Sequence, residues 1–255
     1  MKYLFIGLFA IGLFACESGE TTEQAVTTTP TTVPTPALNQ LTEAERADGW
    51  TLLFDGRSTD QWRGYTKPTF PNQGWKVKEG ELIVEHSGTE EDGFGGDIIT
   101  KETYGDFELV LDFALTDTSN SGIFYLVQEI EDSPIWHHAP EYQLLDDDTY
   151  KQIMPIKDSQ LSGANYDMHP QTINYSRPIG EWNTARIVKK GNHVQHFLND
   201  KMVVDYHLHD PDWESRYAAS KFAEYPTYAA VDEGHLGLQD HGHLCRFRNI
   251  KVRRL

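Results

Sequence analysis

Near the C-terminus, the segment GHLGLQDHGHLCRFRNI (residues 234–250) gathers His235, Gln239, Asp240, His241 and His243 into a stretch that otherwise alternates like a β-strand. Imidazole changes charge near neutral pH and can give or take a proton, while carboxylate and amide groups can orient it or bind hydroxyls. Period-two alternation puts Leu236 and Leu238 on one face and Gly237, Gln239 and His241 on the other. Asp240 then points away from its neighbours, placed to cap the turn before Gly242. In PEYQLLDD (140–147), Glu141 and Gln143 share a face opposite Tyr142 and Leu144. A half-buried strand needs apolar residues on one side only, so two strands with reactive outer faces could supply an acid, a base and hydroxyl contacts.

Other candidates are graded by position. His196, in NHVQHFLND, shares a face with Val194 and Leu198, and alternation leaves open whether it contacts substrate or a metal or is an ordinary strand histidine. Trp136, in the loop before Glu141, is placed to stack on a ring-shaped substrate, with His137 and His138 beside it. Asn120 in SNSGI could bond a substrate hydroxyl or simply open a strand after a turn. Trp50, Trp62 and Trp75 read as packing residues, and Arg246 and Arg248 as a solvated or carboxylate-paired strand face. A divalent metal ion is a candidate cofactor, with His241, His196 and Glu141 as its candidate ligands, although no spacing matches a closed structural site. His207 and His209 form a second i, i+2 pair without an obvious third ligand.

The elements that must hold these groups are mostly strands. GWKVKEGELIVEH reads as strand, Glu-Gly turn, strand; DFELVLDFALT, SGIFYLVQE and PEYQLLDD read as three more. TARIVKKGNHVQHFLNDKMVVDYHL reads as three strands joined by a Lys-Gly-Asn turn and an Asn-Asp turn. The stretches around 131–140 and 151–171 look irregular, and DWESRYAASKFAEY is the one helix candidate. Many short strands with long loops predict an all-β antiparallel sandwich or jelly roll in a single domain.

The chain begins with Lys2, an apolar run from Tyr3 to Ala15, and Cys16. That run is shorter than the roughly 20 residues of a membrane-spanning helix and suits a secretory signal over residues 1–15. LFAC resembles a lipobox, which makes Cys16 the expected lipidated residue of an exported protein held at the periplasmic face or the outer-membrane surface. The Thr/Pro-rich stretch within 16–48 reads as a flexible tether, and the folded domain as residues 49–255. A formal charge of -17 repels nucleic-acid phosphates and anionic lipids, so a neutral substrate is expected, with membrane attachment through the lipid alone. Of two cysteines, one is the lipidation residue; Cys245 is left without a partner.

Seven stretches in order, GWTLLFDGRSTDQW, GWKVKEGELIV, DFELVLDF, NSGIFYLVQE, PEYQLLDD, GEWNTARIVKKGNHVQHFLN and LQDHGHLCRFRNIKVRRL, resemble the 3-keto-disaccharide hydrolase family over nearly all of 49–255. The resemblance implies a concanavalin A-like jelly roll and a sugar substrate already oxidised at C3 by a separate dehydrogenase. The ketone acidifies the C2 proton, so a base can form an enolate, the C1 substituent can leave, and water can add. On this reading Glu141 and His241 are the acid–base candidates, and Gln143, His196, Gln239, Trp136 and Asn120 the substrate contacts. Gln195 stands where an acidic neighbour of His196 would be expected. Two alternatives remain: a non-catalytic carbohydrate-binding lipoprotein, and a laminarinase-like glycosidase. The latter needs paired carboxylates, and Gln143 occupies the position of the required aspartate.

Overall fold

A computed structural model describes residues 37–87 and 93–255. Its strands are β1 (Thr51–Leu52), β2 (Trp62–Gly64), β3 (Trp75–Lys78), β4 (Glu81–Val84), β5 (Ile98–Tyr104), β6 (Phe107–Leu115) and β7 (Asn120–Val127), followed by β8 (Glu141–Leu145), β9 (Asn183–Lys190), β10 (His193–Leu198), β11 (Lys201–His207), β12 (Gly234–Leu238) and β13 (Cys245–Arg254). All pair antiparallel, in a larger sheet ordered β11-β10-β9-β6-β13-β4-β3, with β1 beside β13, and a smaller one ordered β2-β5-β12-β7-β8. The result is the jelly-roll sandwich expected.

Alternation explains how the sheets meet. Along β9, Asn183, Ala185, Ile187 and Lys189 are buried and the residues between them are half-buried, the signature of one covered face. The inward residues of both sheets, among them Leu111, Phe113, Tyr125, Tyr142, Ile187 and Phe247, form the main core. β8 is buried at all five positions, because one face enters the core and the other forms the floor of a deep cleft. A smaller apolar cluster, Ile99, Phe124, Val127, Ile135 and Ala139, lies apart from the main core. β3 and β4 are joined by Glu79 and Gly80 with φ of 53° and 81°, and β10 and β11 by Asn199 and Asp200 with φ of 50° and 63°. Both central residues of each hairpin are left-handed, so the Asn-Asp pair serves as an Asn-Gly pair would.

Two sequence expectations change. Helices form at α1 (Glu43–Ala47) and α2 (Asp147–Ile153) as well as at the expected α3 (Pro211–Ala219). α1 is opened by a Thr42–Glu45 capping box, a signal present in LTEAERA. The fold also reaches back beyond residue 49: buried Asn39 donates its side-chain amide to the Gly80 carbonyl at 2.8 Å and exchanges backbone–side-chain bonds with Asn249. The expected signal segment 1–15, Cys16 and the tether up to residue 36 lie outside the described residues. Among the described residues, no helix is long and apolar enough to cross a membrane.

Candidate active site

β8 is pinned on both sides. It pairs with β7 in the register Gly122↔Gln143 and Phe124↔Glu141, and its outer edge is covered by the loop that follows α2. There the Gln143 amide donates to the Ala164 carbonyl (3.1 Å), and the Tyr166 amide donates to the Glu141 carbonyl (2.9 Å). Tyr142 and Leu144 enter the core, so Glu141, Gln143 and Leu145 face a cleft of about 820 Å³ on the open side of the smaller sheet. Gly122 leaves room for the carboxyl: a Cβ there would stand 2.1 Å from Glu141 Oε1. A rigid strand with a glycine neighbour thus fixes one carboxyl group at the cleft floor.

Burial governs that group. Glu141 is only 5% exposed, and desolvation pushes its pKa up to about 8, with the nearby Lys221 charge pulling down and the Asp97 charge adding to the rise. A carboxyl held near neutrality can serve as general acid or general base. Lys221 opens the short 310 turn Lys221–Glu224, and its ammonium group stands 4.2 Å from the Trp136 ring centroid and 4.5 Å from that of Tyr166. Its backbone amide donates to Asp167 Oδ2 at 2.9 Å, on the loop that covers β8. The cation and Glu141 are therefore positioned by connected backbone. Trp136 lines the cleft as expected, but its ring is engaged by this cation, which makes it a holder of charge rather than a bare stacking platform.

The histidine-rich segment reaches the same cleft by a different route from the one alternation implies. β12 ends at Leu238, after a register shift between His235 and Gly237, and residues 239–244 run on as a loop with Gly242 at φ 73°. Gln239, Asp240, His241 and His243 all line the cleft, so Asp240 does not point away from it. Asp240 does cap the turn: Oδ1 accepts from the Gly242 amide (3.1 Å) and Oδ2 from the Gly95 amide (2.9 Å). Its own amide donates to Asp97 Oδ1 at 2.9 Å. Burial raises the Asp240 pKa against the pull of these amides. His243 is shifted down, mainly by desolvation. Asn120 Oδ1 and Gln239 Oε1 are buried and, among the described residues, accept no hydrogen bond, which leaves two acceptors suited to substrate hydroxyls.

His196 is elsewhere. It is fully buried in the core between the sheets, its Nε2 3.0 Å from the Tyr125 hydroxyl and its Nδ1 3.0 Å from the Gly163 carbonyl oxygen. The polar ring is tolerated because both nitrogens are bonded, and burial drives its pKa down to about 3. His196 is thus neither a substrate contact nor a co-ligand of Glu141 and His241, and that metal set is not assembled. His138 is also turned inward, bonding Thr227 and Ser133, and His137 stacks on Tyr225 at 3.7 Å. His235 lies beside the Arg63–Glu129 ion pair. Trp62 and Trp75 are buried packing residues as expected, and Arg248 faces Asp112 at 3.5 Å while its guanidinium lies over Trp182. Cys245 is buried and, among the described residues, has no disulfide partner.

Lys221, Asp97 and His86 are cleft residues that the sequence patterns did not single out. Lys221 lies in a stretch whose sequence pattern reads simply as helix, and Asp97 immediately precedes β5, where nothing local marks it.

Comparison with known proteins agrees with this architecture. The profile of the 3-keto-alpha-glucoside-1,2-lyase-like domain matches residues 49–253. A Bacteroides thetaiotaomicron protein named 3-keto-disaccharide hydrolase is 37% identical over 229 residues, covering 81% of this chain and 79% of that protein. A crystal structure of a candidate glycosyl hydrolase from Parabacteroides distasonis superposes with a TM-score of 0.78 at 32% identity, covering 86% of this chain and all (100%) of that one. A second from the same organism gives 0.60 at 27% identity, covering 81% and 99%.

Proposed function

The chain belongs to the 3-keto-alpha-glucoside-1,2-lyase-like domain family, and from that premise we propose that it cleaves glycosides whose C3 hydroxyl has been oxidised to a ketone. The observation that carries the reading is the buried Glu141 carboxyl, poised near neutrality beside a caged lysine in a cleft of sugar size. A base takes the C2 proton, and the C–H electrons pass into the C3 carbonyl to give an enolate. The enolate expels the C1 oxygen, which an acid protonates, leaving a C1=C2 double bond conjugated to the ketone. Water adds at C1 and a proton returns to C2. Glu141 and His241 form the acid–base pair, Lys221 balances the enolate charge, and Gln143, Gln239 and Asn120 hold hydroxyls.

The glycosidase alternative needs a second free carboxylate near Glu141. Asp97 and Asp240, the other carboxylates noted in the cleft, are committed to holding loop backbone, which favours the keto-sugar route. A binding module would have no use for a desolvated carboxyl held beside a cation, since that arrangement costs stability and serves proton transfer. The direct test offers the purified protein a glucoside and its 3-keto form: release from the keto form alone supports the proposal, and equal release from both overturns it. The substrate must then come from a separate sugar 3-dehydrogenase. Export and lipidation at Cys16 belong to the same proposal, and Cys16→Ser should move the protein from the detergent to the aqueous phase on partitioning. Unchanged partitioning would reject the anchor.

A further inference from the structure

We propose that His193, Asp205 and His207 form a binding site for a divalent first-row transition metal ion on the outer face of the larger sheet, at its β11 edge. The strand register supplies the geometry. His193 in β10 pairs directly opposite His207 in β11, and Asp205, two residues earlier, shares the face of His207. The burial pattern places all three outward, with Val194 and Tyr206 beneath them in the core.

The donor atoms of the three side chains lie within 4.8 Å of one another. His193 Nε2 is 2.9 Å from Asp205 Oδ1, and the two imidazoles stack at 4.5 Å with 7° between their planes. A four-coordinate ion with bonds of about 2.0–2.2 Å sets its donors roughly 3.3 Å apart and meets each imidazole in its own ring plane, so the two rings must turn out of their parallel stack about their side-chain bonds to close the set around one ion. Gln195, which pairs opposite Asp205, donates its side-chain amide to Asp205 Oδ2 at 2.7 Å and leaves Oδ1 directed at His193. That bond orients the carboxylate as an outer-shell partner would. The fourth position faces solvent and would take water.

Two imidazoles and one carboxylate favour zinc-like ions over magnesium or calcium, which prefer oxygen donors alone. None of the three residues lines the cleft, so the site is separate from the proposed chemistry. An ion there would staple an edge strand to its neighbour, next to the register shift between His196 and Phe197.

The test is a zinc titration of the purified full chain by calorimetry, paired with thermal unfolding in chelator and in zinc. The expected result is one zinc equivalent that His193→Asn and His207→Asn each weaken by about 10-fold or more, and that Gln195→Ala weakens less. His243→Asn in the cleft should retain it. With zinc at 100 times its Kd, the unfolding equilibrium constant of the parent should fall about 100-fold, and that gain should vanish in the two histidine variants. Both variants should melt like the parent in chelator, which separates a lost ligand from a damaged fold. Zinc uptake unchanged in both variants, or none by the parent at ~0.1 mM zinc, would overturn the site.

Discussion

Replacing Glu141 with glutamine should move stability and activity in opposite directions. The folded-state pKa of Glu141 is raised by burial from 4.5 to about 8, so the native protein keeps a proton that the unfolded chain gives up. The stability this proton carries is complete below pH 4.5 and is lost as the pH rises towards 8. At about 1.4 kcal/mol per pH unit, the parent forfeits about 3 kcal/mol at pH 7 relative to a neutral side chain of the same shape, and only about 1 kcal/mol at pH 5. Glutamine carries no such penalty. Glu141→Gln should therefore melt higher than the parent by roughly 6–12 °C at pH 7, with the gap narrowing towards pH 5. Other titrating groups, such as His196, whose pKa is depressed to about 3, act equally on both proteins and cancel in the difference. Turnover should meanwhile fall by about 10² or more. Thermal melts of both proteins from pH 5 to pH 8 decide the matter. A gap that does not change with pH would refute a desolvated carboxyl at this position, and normal turnover in the variant would refute its proton-transfer role.

Lys221→Met removes the charge that pulls the Glu141 pKa down, so the limb of the pH–rate profile that belongs to Glu141 should shift to higher pH while kcat falls by about 10²; an unmoved profile would detach the lysine from the chemistry. His196→Ala removes the partner of the buried Gly163 carbonyl and one of the two partners of the Tyr125 hydroxyl, which keeps Tyr206, and opens a void in the core. It should cost about 3 kcal/mol or more in chemical unfolding and leave KM of the remaining folded protein unchanged, whereas a large rise in KM would return His196 to the substrate site.

Legibility in the sequence followed local regularity. Glu141 and Gln143 share a face in the sequence pattern and in the structure alike because β8 is a regular strand whose alternate residues, Tyr142 and Leu144, must enter the core. Alternation extended past Leu238 puts Gln239 and His241 on the polar face, although the strand has already ended there; the loop delivers them to the cleft together with Asp240 and His243. His196 was ambiguous because burying an imidazole requires two hydrogen-bond partners, and Tyr125 and Gly163 lie 71 and 33 residues away in the chain. Lys221 was invisible for a related reason. Its role rests on Trp136, Tyr166 and Glu141, which only the tertiary fold brings around it.

The central claim is an enolate formed by loss of the C2 proton, and solvent isotope reads it directly. The purified protein is given a 3-keto-glucoside in deuterated water, and the released 3-keto sugar is examined by mass and proton resonance at C2. Elimination followed by hydration places one deuterium at C2 in every turnover, and Glu141→Gln should suppress label and release together. Release of an unlabelled sugar would contradict the account, because it requires direct displacement at C1 with the C2 proton never removed.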